Sequence, residues 1–128
     1  MSVGLVLISH RDIAGQLLAA ATTVLDHCPL AARTLAIDLD ADPRTALNTL
    51  AQLCADVDTG DGVLIMVDVF GATPFNIAKR HAEHSGAKLV TGLSLPMLLR
   101  TLNYPHQSLN QLTRTAADGA RRGIVIYP

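Results

Sequence analysis

Two stretches of this chain, residues 2–8 (SVGLVLI) and 63–67 (VLIMV), are short, rich in β-branched residues and apolar without alternation. A strand with one face in water alternates apolar and polar residues, so runs of this kind belong to strands covered on both faces. What lies between them must supply the cover. Apolar residues at spacings of three and four, Ile13, Leu17, Ala21, Val24 and Leu25, predict a helix out to about Asp26, with Ser9 and Asp12 in the relation of a capping box at its start. Thr34 to Leu39 reads as a second strand, and Asp42-Pro43 as an N-cap followed by proline in the first helical position. The core face of that second helix is Leu47, Leu50, Ala51, Cys54 and Val57, and residues 58–62 form a turn before the third strand.

The third strand runs into Asp68 and the tight segment from Phe70 to Pro74, and a third helix from Pro74 to about Glu83 follows. Lys88 to Thr91 is a fourth strand, Ser94-Leu95-Pro96 opens a helix through Leu102, Leu109 to Ala117 is a further short helix, and Gly123 to Tyr127 is a last strand. Strands alternating with helices predict a doubly wound three-layer α/β sandwich with a mainly parallel sheet, because parallel neighbours need a crossover and the helix supplies it. In the common doubly wound order, strands 1 and 3 lie side by side and their following loops diverge to leave a crevice. His10 and Asp68 stand at those two strand ends.

Composition narrows the function classes. With 128 residues, 49% hydrophobic and 16% charged, the chain suits one domain over residues 1–128 with a substantial core. A formal charge of -1, two Phe, two Tyr and no Trp argue against a nucleic-acid partner, which needs a positive field or stacking platforms. No apolar run approaches the roughly 20 residues that span a bilayer, and no basic leader precedes Val3, so a soluble, cytoplasmic chain without membrane insertion is expected. Cys28 and Cys54 read as reduced thiols. Residues 56–62 lack the ligands of a calcium loop, His81 and His84 lack further partners, and no nucleotide-binding glycine motif is present, so no metal or cofactor is expected.

The chemistry concentrates at the crevice. An imidazole just after a buried strand is accessible at the rim, and a carboxylate accepting one ring N–H fixes the tautomer and leaves the other nitrogen as a nucleophile. His10 and Asp68 form such a pair. Gly71 permits close backbone approach, while Thr73 can cap the helix beginning at Pro74 and donate a hydroxyl proton. A helix start favours an anion. Together these features suit a phosphoryl group carried covalently on nitrogen.

Three stretches carry a family resemblance: the strand leading to Ser9-His10, residues 68–76 (DVFGATPFN), and residues 92–97 (GLSLPM). The chain resembles the IIA domain of the mannose/fructose/sorbose family of the bacterial phosphoenolpyruvate-dependent phosphotransferase system. The resemblance implies four parallel strands in the order 2-1-3-4 and a final antiparallel strand, Gly123 to Tyr127, exchanged in a homodimer. It implies that His10 accepts a phosphoryl group from an HPr-type phosphocarrier and hands it to a IIB protein, with Asp68 hydrogen-bonded to the ring and Gly71, Ala72 and Thr73 around the phosphate. No IIB module follows Pro128, so a separate IIB chain is expected. Arg11, Phe70, Met97 and Arg100 are candidates for the docking rim.

Two departures matter. The family usually has glycine at Ala72, where a positive φ would put the extra Cβ under strain, and asparagine at Ser94, which can still cap its helix. The alternative reading is a phosphorylation-dependent regulatory protein of the same fold whose output is binding a target protein.

Overall fold

The computed structural model describes residues 2–128. The chain runs β1 (Gly4–His10), α1 (Ile13–Leu25), β2 (Ala32–Ile37), α2 (Pro43–Val57), β3 (Val63–Val67), α3 (Thr73–Ser85), β4 (Lys88–Thr91), α4 (Leu95–Leu102) and α5 (Leu109–Arg122). Its sheet has four parallel strands in the order β2-β1-β3-β4. This is the doubly wound architecture that the unalternating apolar runs require.

Alternation reappears in three dimensions. Leu5 and Leu7 of β1 and Leu64 and Met66 of β3 point to one side, where they meet Ala14, Ala21, Met97, Leu98, Leu112 and Ala116 of α1, α4 and α5. Val6, Ile8, Ile65 and Val67 point to the other, against Ala46, Leu50, Cys54, Ile77 and Ala78 of α2 and α3. Both faces are apolar because both are covered. Each fully buried Val, Leu, Ile or Met among them stabilises the fold by about 1.5–3 kcal/mol, so the core holds the two central strand tips in fixed relation.

Several boundaries differ from expectation. The ladder of β2 begins earlier, with Leu5 paired to Ala32 and the Leu5 N–H donating to the Ala31 carbonyl at 2.9 Å, so Leu39 falls beyond the strand and is fully exposed. On α2 the buried positions are Ala46, Leu50, Cys54 and Val57, while Ala51 faces solvent. The last helix continues past Ala117 to Arg122. Gly119, which would ordinarily interrupt a helix, sits where a Cβ would lie 2.5 Å from that of Arg100, so its bareness is what lets α5 pack on α4. Asp118 and Arg122 then close an i,i+4 ion pair at 2.9 Å.

Residues 123–127 form no strand within the chain: they follow α5 as an exposed segment with Ile124, Val125, Ile126 and Tyr127 all turned outward. β4 is therefore a sheet edge. Beside it runs an open groove of about 700 Å³ whose lining includes Phe75, Leu89, Val90, Ala117, Ala120 and Ile124.

Candidate functional site

The parallel register pairs Ile8 with Val67, which carries β1 and β3 side by side to their carboxyl ends. His10 is the last residue of β1 and Asp68 the first beyond β3, so the two meet across adjoining strand tips. Asp68 Oδ2 lies 2.8 Å from His10 Nδ1 and accepts the His10 backbone N–H at 3.0 Å. The second oxygen, Oδ1, accepts the Val69 backbone N–H at 3.0 Å. The imidazole is 43% exposed and the carboxylate 10%, which leaves the ring open to a partner while its holder is shielded.

Burial raises the Asp68 pKa, but the backbone N–H of His10, the ring of His10 and the Val69 N–H together outweigh it and hold the carboxyl below its ordinary value. Asp68 is thus an anion at neutral pH and can only accept. Nδ1 carries the hydrogen in the neutral ring, and the Nε2 lone pair is free.

The turn into α1 is built differently from the expected capping box. α1 starts at Ile13, and the Asp12 side chain takes the Gln16 amide instead of a backbone N–H. Ser9, fully buried, accepts the Ala14 N–H at 2.9 Å and donates to the Arg11 carbonyl at 3.1 Å. It pins the backbone on either side of the histidine. The S-x-x-D spacing marked Ser9 as a helix-start residue, but the partner it chooses depends on the tight turn at Arg11. Nor could the sequence reveal the Val69 contact, since a backbone N–H leaves no mark on residue type.

Beyond Asp68, Gly71 takes φ +87 with open space where a Cβ would be. Ala72 lies at φ -92, in extended backbone, so the anticipated strain at this alanine is absent and the left-handed position falls on glycine. Ala72, not Thr73, is the N-cap of α3, and it offers no side-chain hydrogen bond. Thr73 is the first helical residue and is exposed. With no side-chain cap, and with proline second, the N–H groups of Thr73 and Phe75 have no intrahelical acceptor at this helix start. By contrast, the Asp42, Ser94 and Ser108 side chains each cap their helices, accepting from Thr45, Met97 and Gln111.

The expected docking rim divides. Phe70 is 73% exposed, its ring 4.6 Å from that of Phe75, and Arg11 is exposed next to His10. Met97 is fully buried between the sheet and α5, so it presents no surface to a partner. Arg100 sits six residues beyond the Ser94 cap, about 9 Å along α4 at 1.5 Å per residue, half-buried against Gly119 and away from the strand tips. His81 and His84 lie on α3; burial, then the neighbouring His84, lowers the His81 pKa. Among the described residues no group of three or more His, Cys, Asp or Glu side chains could hold a metal ion, and no helix is long and apolar enough to cross a membrane.

Fold and site together define an α/β domain that presents a carboxylate-held imidazole at the carboxyl end of a parallel sheet. The family model described as "PTS system fructose IIA component" matches residues 4–116, and the chain belongs to this EIIA-man family of phosphotransferase-system components. It is 38% identical over 79 residues to the PTS system mannose-specific EIIAB component of Escherichia coli strain K12, a match covering 58% of this chain and 24% of that protein. The chain thus spans about a quarter of the length of the curated relatives it matches. Among solved structures, the mannose/sorbose specific IIA subunit from Enterococcus faecalis superposes with a TM-score of 0.89 at 20% identity, covering 100% of this chain and 96% of that one. Component EIIA from Streptococcus agalactiae superposes with a TM-score of 0.84 at 17% identity, covering 97% and 96%.

Proposed function

We propose that residues 1–128 act as one IIA unit that takes a phosphoryl group from the phosphohistidine of an HPr-type carrier onto His10 Nε2 and passes it to a IIB protein, in support of sugar uptake. The observation that carries this reading is the double acceptance by Asp68 Oδ2, which orients the ring and keeps the proton on Nδ1.

Transfer needs little covalent help. The Nε2 lone pair of His10 forms a bond to phosphorus as the carrier's N–P bond breaks, and the electron pair of that bond returns to the carrier's imidazole. No proton crosses; the Nδ1 hydrogen stays on the Asp68 hydrogen bond, which strengthens as the ring gains positive character. Donor and acceptor are similar nitrogens, so catalysis amounts to holding them in line and stabilising the charge on three phosphoryl oxygens. The uncapped start of α3 and the open backbone at Gly71 suit those oxygens. Phe70 and its neighbour Phe75 would form an apolar part of the docking rim.

The same reading makes the chain a homodimer: the exposed segment of residues 124–127 from one copy would lie along β4 of the other, antiparallel, in the open groove beside that edge.

The test is direct. Incubated with phosphorylated carrier, the chain should acquire an acid-labile phosphate that is lost in His10→Ala. Label persisting in that variant would show that another residue is the acceptor.

A further inference from the structure

We propose that Arg11 is a catalytic residue in its own right, its guanidinium gripping the phosphoryl oxygens on His10, and that the chain keeps a strained backbone to hold it there. The proposal rests on His10 as the acceptor. Among the described residues two non-glycine positions have positive φ, Arg11 at 48° and Asp26 at 64°. Asp26 is the C-cap of α1, where left-handed backbone is the ordinary way to end a helix. Arg11 ends no helix and, unlike aspartate or asparagine, has no short side chain to bond its own backbone. Glycine would occupy this position without penalty.

The surroundings impose the conformation. The Arg11 N–H donates to the Ile37 carbonyl of β2 at 2.9 Å, and its carbonyl accepts from the buried Ser9 hydroxyl, which in turn holds the start of α1. An unfavourable backbone retained by so many contacts marks a place where the side chain has work to do. That side chain is exposed, and the two ion pairs among the described residues, His10–Asp68 and Asp118–Arg122, leave it out.

Charge points to the work. The segments that leave the carboxyl ends of the four strands, residues 9–12, 38–42, 68–73 and 92–94, contain one Lys or Arg, which is Arg11, against Asp12, Asp38, Asp40, Asp42 and Asp68. A phosphoryl group arriving on His10 brings negative charge into segments that hold five aspartates, and the next cations, Arg44 and Arg80, line a pocket with Asp42 and Thr73. A planar fork of N–H donors adjoining the acceptor matches its oxygens geometrically and offsets that charge. A backbone helix start supplies dipoles but no full charge.

The experiment compares wild type, Arg11→Gly and Arg11→Lys in single-turnover transfer from phosphorylated HPr-type carrier over a range of carrier concentrations. The lifetime and the phosphorus NMR shift of each isolated phosphoprotein are measured as well. Arg11→Gly relieves the backbone and should fold at least as well as wild type, yet its plateau rate should fall roughly ten- to a hundredfold. Its phosphorus signal should move, with Arg11→Lys in between. A plateau rate and phosphorus shift equal to wild type would overturn the proposal. So would a loss confined to the carrier concentration needed, which would make Arg11 a docking residue. If wild type itself takes no phosphate from the carrier while remaining folded, it is the underlying assignment of His10 that fails.

Discussion

Asp68 holds His10 twice through one oxygen: Oδ2 accepts the backbone N–H at 3.0 Å and lies 2.8 Å from Nδ1. The ring cannot rotate away without leaving that oxygen, and the strand tip cannot shift without losing the backbone bond. Orientation, tautomer and strand register are therefore secured by one carboxylate.

Asp68→Asn should separate these roles from folding. The amide can still occupy the space, but its NH2 can face Nδ1 and drive the proton to Nε2, which removes the nucleophilic lone pair. Transfer should slow by roughly ten- to a hundredfold, the usual range for losing a partner that orients a ring, while circular dichroism stays that of wild type. Transfer at the wild-type rate would remove Asp68 from the mechanism.

The same residue sets an acid limit on stability. Burial alone would raise the Asp68 pKa, but the His10 and Val69 donors depress it below the unfolded value. A depressed carboxylate stabilises the fold above its unfolded pKa of about 3.9 and loses that contribution as pH falls through the folded value. In urea unfolding, Asp68→Asn should lie about 1–3 kcal/mol below wild type at pH 7. The gap should narrow steadily below about pH 4. A gap of the same size at pH 3 and pH 7 would contradict this origin.

Much of this geometry was legible in the residues, and the exceptions share a cause. Unalternating runs at 2–8 and 63–67 announced a sheet covered on both faces, and the strand-end positions of His10 and Asp68 followed from it. What escaped was set by backbone and by neighbours. Ser9 bonds Ala14, not Asp12, because the chain turns left-handed at Arg11, and no residue-type preference predicts an arginine there. Met97 matches a family motif yet is wholly buried, since the motif reflects packing as well as chemistry. The last helix runs on past Ala117 through Gly119 to Arg122, because the approach of α4 rewards the absence of a side chain at Gly119.

That last point is testable by overpacking. Gly119→Val places a Cβ 2.5 Å from the Arg100 Cβ and 2.8 Å from its Cγ. It should destabilise the chain by about 1–3 kcal/mol, read from the urea midpoint. An unchanged midpoint would mean that α4 and α5 part at no cost.

The two thiols should differ sharply. Cys28 is exposed, whereas burial and then the nearby Asp58 push the Cys54 thiol up to about 11. Thiolate is the reactive form, so at pH 8 an aromatic disulfide reagent should modify one thiol quickly and the second on unfolding. The fast phase should vanish in Cys28→Ser. Two fast thiols in the folded chain would show that α2 does not keep Cys54 packed against the sheet and α3.

The exposed end of the chain carries the final prediction. Ile124, Val125, Ile126 and Tyr127 are 80%, 77%, 92% and 92% exposed, a run of strand-forming side chains with nothing over either face. β4 beside them presents an unpaired edge, and such an edge invites another strand. The two deficits answer each other if the run from one copy pairs with β4 of a second: backbone bonds fill the edge while alternate side chains enter the groove lined by Phe75, Leu89 and Ala120. Sedimentation at tens of micromolar should give a dimer for wild type. Ile126→Asp, which adds a charge on that run without touching the core, should weaken association at least tenfold while the urea midpoint of the monomer is retained. A wild-type chain that sediments as a monomer at those concentrations would exclude the pairing.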